Sequence, residues 1–226
     1  RGRLGITAAG EIRLPSEFAH ATQSLLSLPR KMPDPRSPEF VAEAAREVVE
    51  ILGHSEGRAF VLFTSYANLR EVQARIAPRL PYPMLVQGEA PRTQLIDRFR
   101  RTPNAVLLAS SSFWQGVDVA GEALSCVIID KLPFASPGDP IVAARIEAIG
   151  EAVGDAFRDY QVPLAILMLL QGLGRLLRHH TDRGVLAILD PRLTSMGYGR
   201  RFLDSLPPAP VTHRIEEIGR FFGTNG

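Results

Sequence analysis

Cysteine is nearly absent: Cys126 is the only one in 226 residues. One thiol excludes a disulfide framework, a zinc ribbon and a four-cysteine iron-sulfur cluster within these residues, and a reducing, cytoplasmic setting is expected. Lysine is almost as scarce, with Lys31 and Lys131 the only two, and neither follows a glycine. A phosphate-cradling loop needs G-x-x-x-x-G-K-[ST], whose amides and lysine hold the phosphates, so that loop is missing outright. No G-x-G-x-x-G follows a strand-like run and no G-x-S-x-G turn occurs, which removes the usual dinucleotide and serine-nucleophile signatures. The longest apolar stretch, Val162 to Leu170, has nine residues against the roughly 20 needed to cross a bilayer, so no membrane association is expected. The start, RGRLGITAAG, lacks the layout of a secretory signal.

What is present is an ordinary folded composition, 45% apolar and 22% charged. The length suits one large domain, or one with an appended segment. Net charge is only +2, yet the basic residues are 24 Arg against two Lys. Guanidinium pairs bidentately with phosphate and stacks on bases, but a GC-rich genome produces the same bias, so charge leaves the partner open. The first residue is Arg rather than Met, and a fragment or processed product is expected.

Residues 1–37 carry Pro15, Pro29, Pro33 and Pro35 with only short apolar groups between them, and read as an irregular lead-in arm. From Pro38, PEFVAEAAREVVEILG has apolar residues at helical spacing, with Ser37 as N-cap and Gly53 as terminator. Strand-like runs then alternate with helical patterns. The strands are expected at 59–63, 84–86, 105–109, 126–129 and 185–189, and the helices at 68–80, 93–101, from Asp139 and Pro140 onward, and at 163–178. Uniformly apolar strands alternating with helices predict an α/β fold: a doubly wound, mostly parallel sheet covered by helices on both faces, over 38–226. Ligands in such sheets bind beyond the carboxyl ends of the strands, which directs attention to TSY, SSFWQGVD, DKLPF and DPR. Asp130 and Asp190 close two strands. Without a phosphate loop, both read as structural acids that bond nearby loop amides.

The sharpest signal is QGLGRLLRHH, residues 171–180. On a helix, Gln171, Gly174, Arg175 and Arg178 share one face, opposite Ile166, Leu169, Leu173, Leu176 and Leu177. Taken with FTSY at 63–66, FWQGVDVAG at 113–121, DKLPF at 130–134 and DRGVLAILDPR at 182–192, the chain resembles the second RecA-like motor domain of DinG-like helicases. These belong to the XPD-type group of superfamily 2. The resemblance runs from about Leu28 to Phe222.

The resemblance implies that Gln171, Gly174, Arg175 and Arg178 form motif VI, with both arginines reaching the γ-phosphate of ATP held by a first motor domain. Phe113, Trp114, Gln115, Gly116, Val117 and Asp118 correspond to motif V, where Gly116 and Asp118 would couple the ATP site to DNA and Gln115 stands where Glu is usual. Trp114 stacks on a base or fills the core. FTSY resembles motif IV, so Ser65 and Tyr66, with Ser111 and Ser112 ahead of motif V, are candidates for contacts to single-stranded DNA. ATP and Mg²⁺ would be held mainly by the N-terminal RecA-like domain of the same protein, outside this chain. The 4Fe-4S cluster of many XPD-type relatives would also lie outside it. No residue here is assigned to a metal. His179 and His180 read as surface residues and Cys126 as a buried small hydrophobe. The alternative to a motor domain is a non-catalytic module that binds single-stranded nucleic acid or regulates a helicase.

Overall fold

Strands that are apolar at every position leave no polar face for water, and this forces a helical layer onto each side of the sheet. A computed structural model describes residues 18–110, 113, 123–136, 138–151, 154–174, 176–177 and 181–223. In it β1 (Ser24–Ser27), β2 (Ala59–Phe63), β3 (Met84–Val86), β4 (Val106–Ser110), β5 (Cys126–Ile129), β6 (Gly184–Ile188) and β7 (Val211–Thr212) form one sheet. Their order is β3-β4-β2-β5-β6-β1-β7, and each pairing is parallel.

Alternation along the strands divides the core in two. Phe60, Leu62, Leu107, Val127, Ile129 and Leu186 face α4 (Arg92–Arg101) and α6 (Val162–Leu173), where Phe99 and Leu169 are buried. Val61, Phe63, Leu108, Ile128 and Val185 face α2 (Phe40–Ser55), α3 (Tyr66–Ile76) and α9 (Ile215–Phe222). Burying each such Leu, Ile or Phe stabilises by roughly 1.5–3 kcal/mol, so two apolar faces per strand supply the driving force for this layering. The doubly wound α/β expectation therefore holds. Short helices α1 (His20–Gln23), α7 (Arg192–Ser195) and α8 (Gly199–Ser205) and the largely exposed α5 (Pro140–Glu151) complete the described α-helices.

Three local expectations need correction. The lead-in arm is not irregular over 20–27: α1 leads into β1, which is inserted between β6 and β7. SLLS offers only two apolar residues, yet Ser24 and Ser27 are buried too, with the Ser24 hydroxyl donating to the His20 carbonyl at 2.7 Å. Helix α2 starts two residues beyond Pro38, and Ser37 bonds the backbone N–H and carboxylate of Glu39 instead of capping it. It also runs through Gly53 and stops where Glu56, Gly57 and Arg58 take φ of 55°, 72° and 47°. Finally, α6 ends at Leu173 rather than Arg178, with a π-helical turn, Phe157–Gln161, ahead of it. Gly172 and Gly174 each lower helix propensity by about 1 kcal/mol relative to alanine, which weakens the helix where it stops.

The two glycines near the end of α2 should respond oppositely to alanine. A Cβ at Gly57 would stand 2.1 Å from the Asn104 carbonyl oxygen at a left-handed φ, whereas Gly53 faces open space. Urea unfolding is expected to show Gly57→Ala destabilised by roughly 2–4 kcal/mol and Gly53→Ala stabilised by roughly 0.5–1 kcal/mol.

Candidate functional site at the carboxyl edge of the sheet

Because the strands are parallel, their carboxyl ends share one edge. A crevice opens there wherever neighbouring strands send the chain to opposite faces. β2 and β5 are such a pair, since β2 leads into α3 on one face and the chain after β5 reaches α6 on the other. Asp130 bridges them. Its Oδ1 accepts the N–H groups of Thr64 at 3.0 Å and Lys131 at 2.6 Å, and its Oδ2 accepts the Asn68 side-chain amide at 3.1 Å. The residue is 2% exposed, and burial pushes its pKa up to about 6 against these donors and the nearby Lys131 charge.

This arrangement sets the following turn. Ser65 is the N-cap of α3, its Oγ accepting the Asn68 N–H at 3.2 Å, and Tyr66 stands 51% exposed beside it. The Tyr66 hydroxyl accepts from the Gln87 side chain, whose Oε1 accepts the Ser110 N–H at 2.6 Å. Gln87 therefore links the exits of β2, β3 and β4. It was not singled out in the sequence, where its only signal is a polar residue directly after the run MLV.

Of the motif V candidates, Ser111, Ser112, Trp114, Gly116 and Asp118 lie outside the described residues, as does Gln115. Phe113 is buried, and its carbonyl accepts from Arg92 at 3.1 Å while the Arg92 guanidinium lies 5.2 Å from its ring centre. The flanks of this segment sit at opposite edges: Ser110 closes β4, whereas Ala123 lies with Arg58 and Asn104 at the amino edge.

Two of the motif VI candidates, Gln171 and Gly174, lie toward that amino edge. Helix α6 begins near the carboxyl edge, where Phe157 packs on Phe134 and Tyr198 at 5.4 and 5.2 Å between ring centres. It then descends until Leu176 packs against Gly184, the first residue of β6. Gln171 and Gly174 are exposed there, and Arg175 and Arg178 lie outside the described residues. Helix α6 stops at Leu173, so Gln171 lies on its last turn and Gly174 follows as its C-cap. The structure thus does not bring Gln171 and Gly174 together with Ser65 and Tyr66. A five-residue strand, about 17 Å long, separates the two edges.

Neither strand-closing acid is free for a metal. Asp190 accepts the Leu132 N–H at 2.8 Å and pairs with Arg192 at 2.6 Å, and Asp130 is committed as described. Among the described residues no group of three or more His, Cys, Asp or Glu could hold a metal ion. The described residues do not by themselves make up a Mg²⁺-nucleotide site. Cys126 is fully buried, and desolvation pushes its thiol up to about 12, so it packs as a hydrophobe. No helix of the described residues is long and apolar enough to cross a membrane.

The family model for the helicase C-terminal domain matches residues 48–209. The chain is 45% identical over 219 residues to the ATP-dependent DNA helicase YoaA of Escherichia coli K12, covering 97% of this chain and 34% of that protein. The chain belongs to the DinG-like helicase C-terminal domains. The YoaA helicase of Haemophilus influenzae is 42% identical over the same shares, and the ATP-dependent helicase DinG of Mycobacterium tuberculosis 39% identical over 90% of this chain and 31% of its own. This helicase C-terminal domain thus spans about a third of the length of the curated relatives it matches. Its fold is the RecA-like one of a solved XPD helicase, with TM-score 0.65 at 16% identity over 84% of this chain and 35% of that one. The C-terminal domain of the DEAD-box protein Dbp5 shares it, with TM-score 0.57 at 15% identity over 89% and 97%.

Asp130 makes the stability of this domain depend on pH in an unusual direction. Its folded-state pKa lies above the ordinary carboxylate value, so the folded state binds the proton more tightly. Its contribution is fully present below about pH 4 and is lost as pH rises through about 6, by about 3 kcal/mol. Asp130→Asn keeps an acceptor for both backbone N–H groups, and Asn68 can turn its amide to suit. Urea unfolding from pH 4 to 7 should therefore show wild type losing stability relative to Asp130→Asn as pH rises. A constant difference between the two would contradict this assignment.

Proposed function

We propose that the chain is the second motor domain of an ATP-dependent DNA helicase. It contributes Arg175 and Arg178 to ATP held by the N-terminal RecA-like domain of the same protein, and contacts single-stranded DNA along its carboxyl edge. The observation that carries the reading is the separation of the two candidate sites, with Ser65 and Tyr66 at one edge of a rigid sheet and Gln171 and Gly174 at the other. A body with DNA contacts at one edge and nucleotide contacts at the other turns closure over ATP into displacement along a strand. The helicase names of the relatives support the same reading.

The chemistry suits a chain without a phosphate loop. The first domain cradles ATP with its Mg²⁺, and this domain adds fixed guanidinium charge where negative charge develops on the transferring phosphoryl group. For arginine fingers in general that is worth on the order of 10³–10⁵ in rate. A planar fork matches phosphate oxygens as an ammonium does not, which explains arginine rather than lysine. Gln171 would act with the two arginines at the ATP site, and Gly174, Gly116 and Asp118 would couple that site to DNA. Ser65, Tyr66, Ser111, Ser112 and Trp114 would track the strand through phosphate contacts and stacking that read no sequence. A 4Fe-4S cluster, where the whole protein carries one, lies outside this chain, and the protein works in the cytoplasm on single-stranded DNA.

Alone, the chain should hydrolyse no ATP above background. Joined to its first motor domain it should hydrolyse ATP, and Arg175→Ala should lower kcat by roughly 10³-fold while single-strand affinity stays within about twofold. Phosphate release and oligonucleotide anisotropy measure the two. Full turnover in the Arg175→Ala protein would remove this residue from the mechanism, and Mg²⁺-dependent ATPase from the isolated chain would overturn the division of labour.

A further inference from the structure

A cavity of about 320 Å³ opens at the far end of the carboxyl edge, where β1 and β7 leave the sheet. Its walls carry the cations Arg30, Lys31, Arg46 and Arg214 against the carboxylates Glu47 and Glu216. Arg46 is paired with Glu43, and Arg214 lies 3.6 Å from Glu216. Arg30 and Lys31 are exposed and make no hydrogen bond or ion pair among the described residues. His213 lines the same cavity, with its Nδ1 2.7 Å from the Leu28 carbonyl. A carbonyl only accepts, so Nδ1 carries the proton and Nε2 is the atom left for a ligand.

The turn that presents these cations is held from both sides. The Leu28 N–H donates to the Thr212 carbonyl at 2.9 Å, and Lys131 Nζ donates to the Pro35 carbonyl at 2.7 Å. Two exposed cations with no partner among the described residues, on a turn held in place, can meet an anion without breaking an existing ion pair. The lining holds no Phe, Tyr or Trp on which the base of a free nucleotide would stack, and no glycine cradle for a triphosphate. That composition suits backbone phosphates in sequence-independent binding. The position agrees: β1 lies three strands and β7 four strands from β2, so at about 4.8 Å per strand the cavity is roughly 14–19 Å from Ser65 and Tyr66 along one edge.

We propose that this cavity is a second phosphate-binding station, taking backbone phosphates of the single strand that also meets Ser65 and Tyr66. The proposal rests on the reading of the carboxyl edge as a nucleic-acid path, and adds a station at its β1–β7 end. At about 3.4 Å per stacked nucleotide, a strand of roughly six nucleotides is needed to span both stations.

The test is fluorescence anisotropy of labelled dT16 and dT4 across 25–200 mM NaCl, with thermal unfolding as a folding control. The double variant Arg30→Ala/Lys31→Ala should weaken dT16 binding about tenfold and reduce the salt slope by about 1.4, the value for two lost phosphate contacts on a single strand. It should also shrink the preference for dT16 over dT4, and the charge-keeping Arg30→Lys/Lys31→Arg should restore both. Unchanged dT16 affinity and slope, with binding still weakened by Ser65→Ala/Tyr66→Ala, would overturn the station and leave the edge reading standing. Failure of wild type to bind dT16 would overturn both. Titration with ATP or inorganic pyrophosphate supplies the remaining arm: binding abolished by Arg30→Ala/Lys31→Ala with no effect on dT16 would make this a small-anion site and overturn the proposal.

Discussion

Where β2 and β5 part company, three donors converge on the Asp130 carboxyl, a group that water scarcely reaches. Burying a carboxylate is unfavourable unless its lone pairs are filled, and here the filling groups are the backbone and side chain of the loops that form the crevice. The dependence is mutual. Without the acceptor, the Thr64 and Lys131 N–H groups and the Asn68 amide would be left to find other partners, at about 1–3 kcal/mol for each that stays buried and unpaired. Without those donors the acid would have no reason to sit inside. Because Asn68 bonds both Asp130 and the Ser65 cap, the start of α3 and the attitude of Tyr66 follow from this one carboxyl.

The second strand-closing acid repeats the device one strand along. Asp190 accepts the Leu132 N–H while gripping Arg192, so DKLPF is tied to the carboxyl ends of both β2 and β6. Lys131 fastens the same segment sideways through the Pro35 carbonyl and the Phe40 ring, 4.9 Å away. The carboxyl edge is thus built on buried polar links between loops, and at the amino edge Leu176 packs on Gly184 while the Arg58 carbonyl accepts the Ser125 and Cys126 N–H groups. A movement imposed at one edge of such a sheet is carried to the other with little loss, because packed cores deform little.

The strands legible in the sequence were those whose apolar runs declare them, and 59–63, 84–86 and 126–129 match the observed bounds. The α/β class followed from their alternation with helices. β1 escaped because its outer positions are serines, and a strand completed by neighbours on both sides needs no long apolar run of its own. Ser37 and Gly53 looked like helix punctuation, but the covered stripe of α2 reaches Ser55, and tertiary burial outweighs about 1 kcal/mol of glycine propensity. The structural role of Asp130 and Asp190 was visible from the missing phosphate loop. Their partners were not, since Thr64 and Asn68 lie more than sixty residues from Asp130. Gln87 carried no motif at all, and only the meeting of three strand exits gives it a role.

The position of β1 has a consequence for how the chain reaches this state. Its hydrogen-bonding neighbours are β6, some 160 residues later, and β7, later still. At about 5–20 residues per second of synthesis, β1 waits roughly 8–32 s before the first of them exists. Until then both of its sides are bare and can pair with whatever comes near. Its brevity and terminal serines make that a poor template for stray association, so the composition that hid this strand from a hydropathy reading also protects the nascent chain.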